Sequence, residues 1–220
     1  MSHAAIHTEQ IHQARFTVQV SDLGKRFNRE WIFRNLNYTF QAGQTYAITG
    51  ANGSGKSTLL QVIWGQMPPS KGTVKYITEG VETTAESVFQ RIAIATPYMD
   101  LIDEFTLQEQ LDFHFKLRSP RYNLKTSEMI ERMYLTAARD KYISNFSSGM
   151  RQRVKLALAF YTEADMVFLD EPGTNLDQRA FDWYLHELHQ LPAHTTIFIA
   201  SNQPAEYPAS VHKIDIMQFK

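Results

Sequence analysis

The sequence predicts an α/β fold built on a mostly parallel β-sheet, with an antiparallel β subdomain at the N-terminus and an inserted all-helical subdomain. Two segments, MVFLD at 166–170 and TTIFIA at 195–200, are almost continuously apolar, which is typical of parallel strands covered on both faces. Helices are predicted beside them, at about 148–161 and 178–189. Strands that alternate with helices indicate a parallel α/β core.

A glycine-rich loop is the most informative segment. The sequence GANGSGKST, residues 50–58, follows a strand predicted at 44–49 and precedes an apolar run that continues as a helix. Backbone N–H groups of such a loop, together with a helix N-terminus, can surround an anion where no Cβ intervenes. We interpret it as a phosphate-binding loop rather than a chance Gly/Ser-rich turn, because the strand and helix context agrees. Lys56 would then reach the β- and γ-phosphates, and the Ser57 hydroxyl would bind Mg²⁺.

Composition excludes several classes of protein. The 220 residues carry a formal net charge of −1 and contain no cysteine. Without a block of Lys and Arg, we expect no nucleic-acid partner. Disulfides, thiol catalysis and thiolate metal sites are excluded. The sequence contains no run of 18 apolar residues, so no membrane span is predicted.

Residues 1–15 lack the apolar segment of a secretory signal, so we expect a flexible extension on a cytoplasmic chain. His3, His7 and His12 could in principle bind a metal, but we interpret them as part of this solvated extension. Residues 16–220 are expected to form one domain.

The remaining strands are short. They are predicted at 16–20, 36–40, 73–77 and 91–95, with one more in the tail VHKIDIMQF, and the polar KRFNREW segment is expected to be a turn or hairpin. The stretch from about 98 to 160 changes character and predicts the helical subdomain. Its second helix is predicted at 127–138, with Ser127 as the N-cap. The apolar stripes that predict its helices are Leu107, Leu111 and Phe115 in one, and Ile130, Met133, Tyr134 and Ala137 in the other.

Two adjacent carboxylates end the strand at 166–170. Asp170 at the end of an apolar strand can hold the Mg²⁺ of a bound nucleotide, and Glu171 can orient or deprotonate the attacking water. A strand that ends in solvated acids is the ordinary alternative. A phosphate-binding loop in the same chain favours the catalytic interpretation.

A family resemblance covers about residues 16–218. The segment FSSGMRQRVKLALA, at 146–159, resembles the signature segment of ATP-binding-cassette (ABC) ATPases, whose pattern is LSGGQ followed by a basic helix. The segment MVFLDEPGTNLD, at 166–177, is similar to the Walker B strand and D-loop of that family. The resemblance implies a P-loop NTPase core that binds ATP and Mg²⁺.

The resemblance assigns roles to individual residues. The triphosphate and its magnesium would be held by Gly50, Asn52, Gly53, Ser54, Gly55, Lys56, Ser57 and Thr58. Phe27 stands where the family places an aromatic ring that stacks on adenine, although a core phenylalanine in the first hairpin is an open alternative. Asp170 would contact Mg²⁺ with Ser57, and Glu171 would be the catalytic carboxylate.

The resemblance also implies a dimer. Ser147, Ser148 and Gly149 would close over the γ-phosphate held by a facing subunit, where a hydroxyl and a helix N-terminus stabilise negative charge. Asp177 would connect the two sites across that interface.

Three positions depart from the family pattern. Pro97 or Tyr98 stands where the family has a magnesium-binding Gln, and Ser201 and Asn202 stand where it has the switch histidine. The signature segment has Ser148 for its first Gly and Met150 for its Gln. Asn202 can donate a hydrogen bond to a γ-phosphate oxygen but cannot carry a positive charge. We therefore expect ATP-dependent dimerisation with slow hydrolysis.

The expected function is that of the ATP-hydrolysing subunit of an ABC transporter. It would act as a homodimer, or as a heterodimer with a similar chain, on the cytoplasmic face of the membrane, bound to an integral membrane permease. The alternative is a soluble ABC ATPase that regulates or remodels a non-transport partner. A small-molecule kinase also uses a phosphate loop, but no Arg-rich lid is evident and the signature segment has no role there.

Overall fold

The computed structural model describes residues 16–220, so the extension at 1–15, with His3, His7 and His12, lies outside the described residues. The strands are β1 (Phe16–Phe27), β2 (Glu30–Phe40), β3 (Thr45–Thr49), β4 (Lys71–Thr78), β5 (Val81–Thr83), β6 (Ile92–Ala95), β7 (Met166–Asp170), β8 (Thr196–Ala200) and β9 (His212–Asp215). The α-helices are α1 (Lys56–Ile63), α2 (Ala85–Phe89), α3 (Leu107–Leu117), α4 (Thr126–Arg132), α5 (Ser148–Tyr161) and α6 (Gln178–His189). Across the described part of the chain, no helix combines the length and apolar character needed to cross a bilayer.

Five strands form a parallel sheet in the order β6-β7-β8-β3-β9. Every residue of β7 and β8 is buried, as their apolar sequences predict. Asp170 pairs with Ala200, and Ala200 pairs in turn with Ile48 of β3. Because these strands run in one direction, the loops that follow β3, β7 and β8 leave the sheet at the same edge. The glycine loop and the two carboxylates are thereby brought together.

Alternate residues of the central strands enter two hydrophobic cores. One core receives Val167, Leu169, Ile197 and Ile199 and packs against α5 and α6. The other receives Met166, Phe168, Phe198 and Ala200 and packs against α1 and the antiparallel sheet. Phe168 and Phe198 stack at its centre, with ring centroids 4.6 Å apart and an interplanar angle of 3°. The sheet is thus covered on both faces, which confirms the predicted α/β class.

The N-terminal β-structure is an antiparallel sheet in the order β2-β1-β4-β5. The segment at 25–31, predicted as a turn or hairpin, is a hairpin, and β1 and β2 continue through most of it, so both strands are longer than predicted. Lys25 pairs with Phe33 and Arg26 pairs with Trp31, after shifts in the β1–β2 register. The Arg26 guanidinium lies 5.6 Å from the centroid of the Trp31 ring, which lets polar residues extend the hairpin.

The helices at 148–161 and 178–189 form as predicted, and the predicted stripe of Leu107, Leu111 and Phe115 lies on a helix at 107–117. The second helix of the middle segment is shorter than predicted. Lys125, not Ser127, is its N-cap, because the Glu128 carboxylate accepts a hydrogen bond from Lys125 N at 2.8 Å. The helix ends at Arg132, and Tyr134 adopts a φ of 56°. The Tyr134 ring is exposed beside the Arg179 guanidinium, so it does not join the predicted buried stripe. Strand β5 and helix α2 were not predicted.

Candidate active site

The glycine loop connects β3 to α1 and leaves the helix N-terminus open. Gly55 occupies the N-cap position with a φ of 101°, a conformation that glycine adopts without the steric cost of a Cβ. No side chain caps α1, and its first turn contains no acidic residue. The first-turn N–H groups and the positive end of the helix dipole are therefore available to an anion.

The loop is fixed by residues from outside it. A Cβ added at Gly55 would overlap Ile32 Cγ2 of β2. On the other side, Lys220 Nζ donates a hydrogen bond to Ser54 O at 2.6 Å, and Ile216 packs beside Gly50. Position 55 therefore requires glycine for two reasons, the close approach of Ile32 and the left-handed backbone conformation.

Lys56 is held with its charge directed along the loop. Its side chain is buried, and Nζ donates to Gly50 O at 3.0 Å and to Ala51 O at 3.1 Å. Both partners are neutral carbonyls, so these hydrogen bonds position the ammonium without neutralising it. Such a cation can interact with the β- and γ-phosphates of a nucleotide.

Asp170 and Ser57 join the end of β7 to the start of α1. Ser57 Oγ donates to Asp170 Oδ1 at 3.0 Å, and Asp170 is 2 % exposed. Burial raises the pKa of Asp170, the hydrogen bond from Ser57 lowers it, and the neighbouring Glu171 raises it. A cation at this point would relieve the cost of the buried charge.

These oxygens fit Mg²⁺. A carboxylate and a hydroxyl are hard ligands, and Mg²⁺ in nucleotide sites takes few protein ligands and several oxygens from phosphate and water. Among residues 16–220, no group of three or more His, Cys, Asp or Glu is placed to hold a metal ion. Ser57 and Asp170 are the residues that would hold the ion.

Glu171 adopts an unusual backbone conformation. Its φ is 47°, in the left-handed region, and its N–H donates to Ala200 O of β8 at 2.9 Å. For a residue other than glycine this conformation costs on the order of 1–3 kcal/mol, and such residues cluster at functional sites. The half-buried side chain follows directly after Asp170, beside the metal ligands.

Asn202 reaches the phosphate-binding loop from the neighbouring strand. Its Nδ2 donates to Asn52 Oδ1 at 2.9 Å, across 150 positions of sequence. The predicted site residues after β3, β7 and β8 therefore lie at one edge of the sheet.

Phe27 lies at the end of β1 and is 45 % exposed, so it is not the core phenylalanine of the alternative interpretation. The Lys25 ammonium lies 5.3 Å from the centroid of its ring. An exposed ring at this position can stack on a base, and that role stays a prediction.

The signature segment begins α5 at the molecular surface. Ser147 is the N-cap, its hydroxyl accepts a hydrogen bond from Met150 N at 3.3 Å, and Ser147 and Ser148 are exposed. A Cβ added at Gly149 would come within 2.6 Å of Asn175 O, so this glycine allows α5 to approach the loop after Glu171. An exposed helix N-terminus of this kind is accessible to a second molecule.

Two further predicted positions have defined surroundings. Tyr98, at the position of the family's Gln, is 79 % exposed, and the Pro97 carbonyl accepts a hydrogen bond from Lys155 Nζ of α5 at 2.7 Å. Asp177 is the N-cap of α6, where Oδ1 accepts from Ala180 N at 2.8 Å. Its role in linking two sites stays a prediction.

Sequence reasoning missed two buried polar side chains near Glu171. Gln152 of α5 and Glu206, from the segment after β8, both lie against the turn that follows β7. Neither stands out in the sequence, because a Gln in a basic helix and a Glu in a polar loop are typical of solvated positions.

The fold and this arrangement of loop, lysine and carboxylates define a P-loop ATPase. The family model described as ABC transporter matches residues 33–174. The chain therefore belongs to the ABC transporter family.

Individual relatives agree with this family. The chain is 33 % identical over 193 residues to a sulfate/thiosulfate import ATP-binding protein of Synechococcus elongatus, covering 84 % of this chain and 56 % of the relative. It is 30 % identical over 189 residues to Nod factor export ATP-binding protein I of Burkholderia lata, covering 84 % and 62 %. The matched region thus spans little more than half the length of these relatives.

A solved structure has a similar fold. A Pyrococcus furiosus chain described as an ABC transporter ATP-binding protein superposes with a TM-score of 0.76 at 19 % identity, covering 92 % of this chain and 98 % of that chain. At this identity the likeness supports the fold.

Proposed function

We propose that this chain binds Mg²⁺ and ATP and hydrolyses ATP as one half of a dimer that drives a separate membrane permease. The observation that carries the proposal is the hydrogen bond between Ser57 and Asp170. It joins the phosphate-binding loop to the last residue of β7, which directly precedes Glu171.

ATP would bind with its phosphates at the N-terminus of α1. The loop N–H groups would receive the phosphate oxygens, and Lys56 would exchange its loop carbonyl partners for the β- and γ-phosphates. Phe27 would stack on adenine. Mg²⁺, held through Ser57 and Asp170, would neutralise charge on the phosphates when bound.

Hydrolysis requires a water molecule in line with the γ-phosphate. Glu171 follows Asp170 directly and is held to β8 by its own N–H, so its carboxylate can orient that water or accept its proton. Asn202, held beside Asn52, would donate a hydrogen bond to a γ-phosphate oxygen. A neutral amide stabilises developing negative charge less than a protonated histidine, which supports slow hydrolysis.

The second half of the site would come from a facing subunit. The exposed N-terminus of α5, with Ser147, Ser148 and Gly149, would approach the γ-phosphate of the partner's ATP. A homodimer supplies two such sites, and a heterodimer with a similar chain does so equally.

The permease partner is supported by two relatives, which are named as ATP-binding proteins of sulfate/thiosulfate import and of Nod factor export. We place the dimer on the cytoplasmic face of the membrane, bound to that permease. Pro97 or Tyr98 stands where the family has its magnesium-binding Gln, and this difference favours a second candidate function, that of an ABC ATPase that regulates a non-transport partner.

Steady-state hydrolysis of Mg-ATP tests the proposed activity, with Lys56→Ala and Glu171→Gln as inactive controls. Loss of phosphate release in both variants supports it, and wild-type release in either would contradict it. Affinity purification from membranes of the native organism separates the candidates. Recovery of a polytopic membrane protein supports transport, and recovery of soluble partners alone supports the second candidate.

A further inference from the structure

The turn that carries Glu171 is fixed by contacts on both sides. Thr174 N donates to Glu171 O at 3.1 Å, which closes the turn Glu171–Thr174, and Glu171 N donates to Ala200 O at 2.9 Å. These backbone contacts hold the turn to β8. They leave the peptide group between Pro172 and Gly173, whose carbonyl and N–H take partners from outside the turn.

Gln152 of α5 provides the first of these partners. Its Nε2 donates to Pro172 O at 3.0 Å, and Gln152 is buried. The contact joins the helix of the signature segment to the turn of the same chain. A buried carbonyl without a hydrogen-bond donor would destabilise the folded protein, so the Gln152 amide stabilises Pro172 in this position.

Glu206 provides the second partner and is 1 % exposed. Its Oε1 lies where a Cβ on Gly173 would stand, so no larger residue than glycine fits between them. Burial raises the pKa of Glu206 above its ordinary value; hydrogen bonds from the Ser201 hydroxyl and the Gly173 N–H lower it in part, and the charge of Glu171 raises it further. Tyr184 Oη donates to the Glu206 backbone carbonyl at 2.5 Å and fixes this residue from α6.

Burial of the Glu206 carboxylate at this point destabilises the fold, unless the carboxylate is needed to hold the turn. Glu206 Oε2 has no hydrogen-bond partner among residues 16–220. The charge of the nearby Glu171 also acts on the Glu206 carboxylate. Two nearby carboxylates repel each other, and a buried polar atom without a partner is unfavourable. Packing alone would favour an apolar side chain at this position.

We propose that Glu206 is a positioning residue for ATP hydrolysis, which holds the Gly173 peptide so that the Glu171 side chain stays directed at the attacking water. Gln152 binds the same peptide group through its other polar atom, the Pro172 carbonyl oxygen. This inference rests on the proposed role of Glu171. Glu206 itself does not touch the nucleotide.

The test compares kcat and KM for Mg-ATP in Glu206→Ala, Glu206→Gln and the control Glu187→Gln. Glu187 is another buried glutamate, on α6, whose pKa is raised by burial. We expect Glu206→Ala to lower kcat by about 10- to 100-fold with KM within about twofold, because a misplaced catalytic group costs rate rather than binding. Glu206→Gln keeps an oxygen that accepts from Gly173 N–H, so it should recover most of the rate, and Glu187→Gln should match wild type.

Equal kcat in Glu206→Ala and Glu187→Gln would overturn the inference, as would a rise in KM with kcat unchanged. If Glu206→Ala fails to fold, Glu206→Asp, which keeps the charge but falls short of Gly173, should show the same loss of kcat. Failure of the proposed function is distinguishable, since wild-type hydrolysis by Glu171→Gln would contradict that function, whereas a wild-type kcat in Glu206→Ala contradicts this inference alone.

Discussion

Ser57 Oγ and Asp170 Oδ1 are 3.0 Å apart, although their residues are separated by 113 positions in the sequence. The contact joins the first turn of α1 to the last residue of β7. It places the two proposed metal ligands side by side. The affinity for Mg-ATP should therefore depend on both residues.

Replacing either ligand should weaken metal-dependent nucleotide binding. We expect Ser57→Ala and Asp170→Asn each to lower the affinity for Mg-ATP by at least about 10-fold, because each removes an oxygen ligand. Their affinity for ATP in EDTA should equal that of wild type. Fluorescent ATP titrations with and without Mg²⁺ measure this difference, and equal losses in both conditions would contradict the assignment.

Gly55→Ala should abolish tight ATP binding, because its Cβ would overlap Ile32 Cγ2 and displace the loop. Gly80→Ala is a matched control, since Gly80 also has a positive φ, 81°, but no atom lies within 4 Å of its added Cβ. Both variants should lose about 1–2 kcal/mol of stability from backbone strain. Only Gly55→Ala should lose affinity for ATP, and equal affinities in the two variants would argue against the close packing of the loop.

Asn202→His should accelerate hydrolysis. A histidine at this position can donate a charged hydrogen bond to the γ-phosphate, and one well-placed donor is worth roughly 10²–10³ in rate. We expect a rise in kcat of at least about 10-fold over wild type. A fast wild-type enzyme that histidine does not improve would contradict the proposal of slow hydrolysis.

His114 should make the free energy of unfolding depend on pH below neutrality. Burial, with the nearby Arg118, lowers the pKa of His114 to about 4, and its Nε2 lies 2.8 Å from Thr162 Oγ1. The Thr162 hydroxyl donates to Leu158 O at 2.6 Å, so the neutral imidazole donates its Nε2 proton to Thr162.

The unfolded chain takes up a proton near pH 6.5 and the folded chain only near pH 4, so stability should fall as the pH is lowered through this window. Urea unfolding of His114→Gln should show a weaker pH dependence by about 2–3 kcal/mol. His186→Gln, an exposed histidine, is the control. An identical pH dependence in wild type and His114→Gln would contradict the buried, neutral state.

Local features of the sequence predicted much of the fold and site. The strand at 166–170 and the helices at 148–161 and 178–189 have the predicted bounds, because apolar runs and helical periodicity are local signals. The glycine loop was predictable because its residue types are required by backbone geometry. The length of the two strands in the hairpin at 25–31 was not, since strand pairing with aromatic partners stabilises polar residues that otherwise favour turns.

Contacts between distant segments explain what remained hidden. Glu206 became recognisable only when the fold placed it against Gly173, 33 positions earlier in the printed sequence. Helix α4 likewise starts at Thr126 because Glu128 bonds to the Lys125 N–H, which competes with Ser127 as a cap. In both cases the role of a polar side chain depends on the partner that the fold places beside it, and the residue type alone does not predict that role.

The state of association of Glu171→Gln in Mg-ATP tests the central claim most directly, since a dimer blocked in hydrolysis should accumulate. Size-exclusion chromatography with light scattering should give a mass twice that of the single chain with Mg-ATP and the mass of one chain without nucleotide. Adding Ser147→Arg, which places a bulky side chain at the exposed N-terminus of α5, should restore the monomer while leaving ATP binding intact. A Glu171→Gln protein that binds Mg-ATP and remains a monomer would contradict the account.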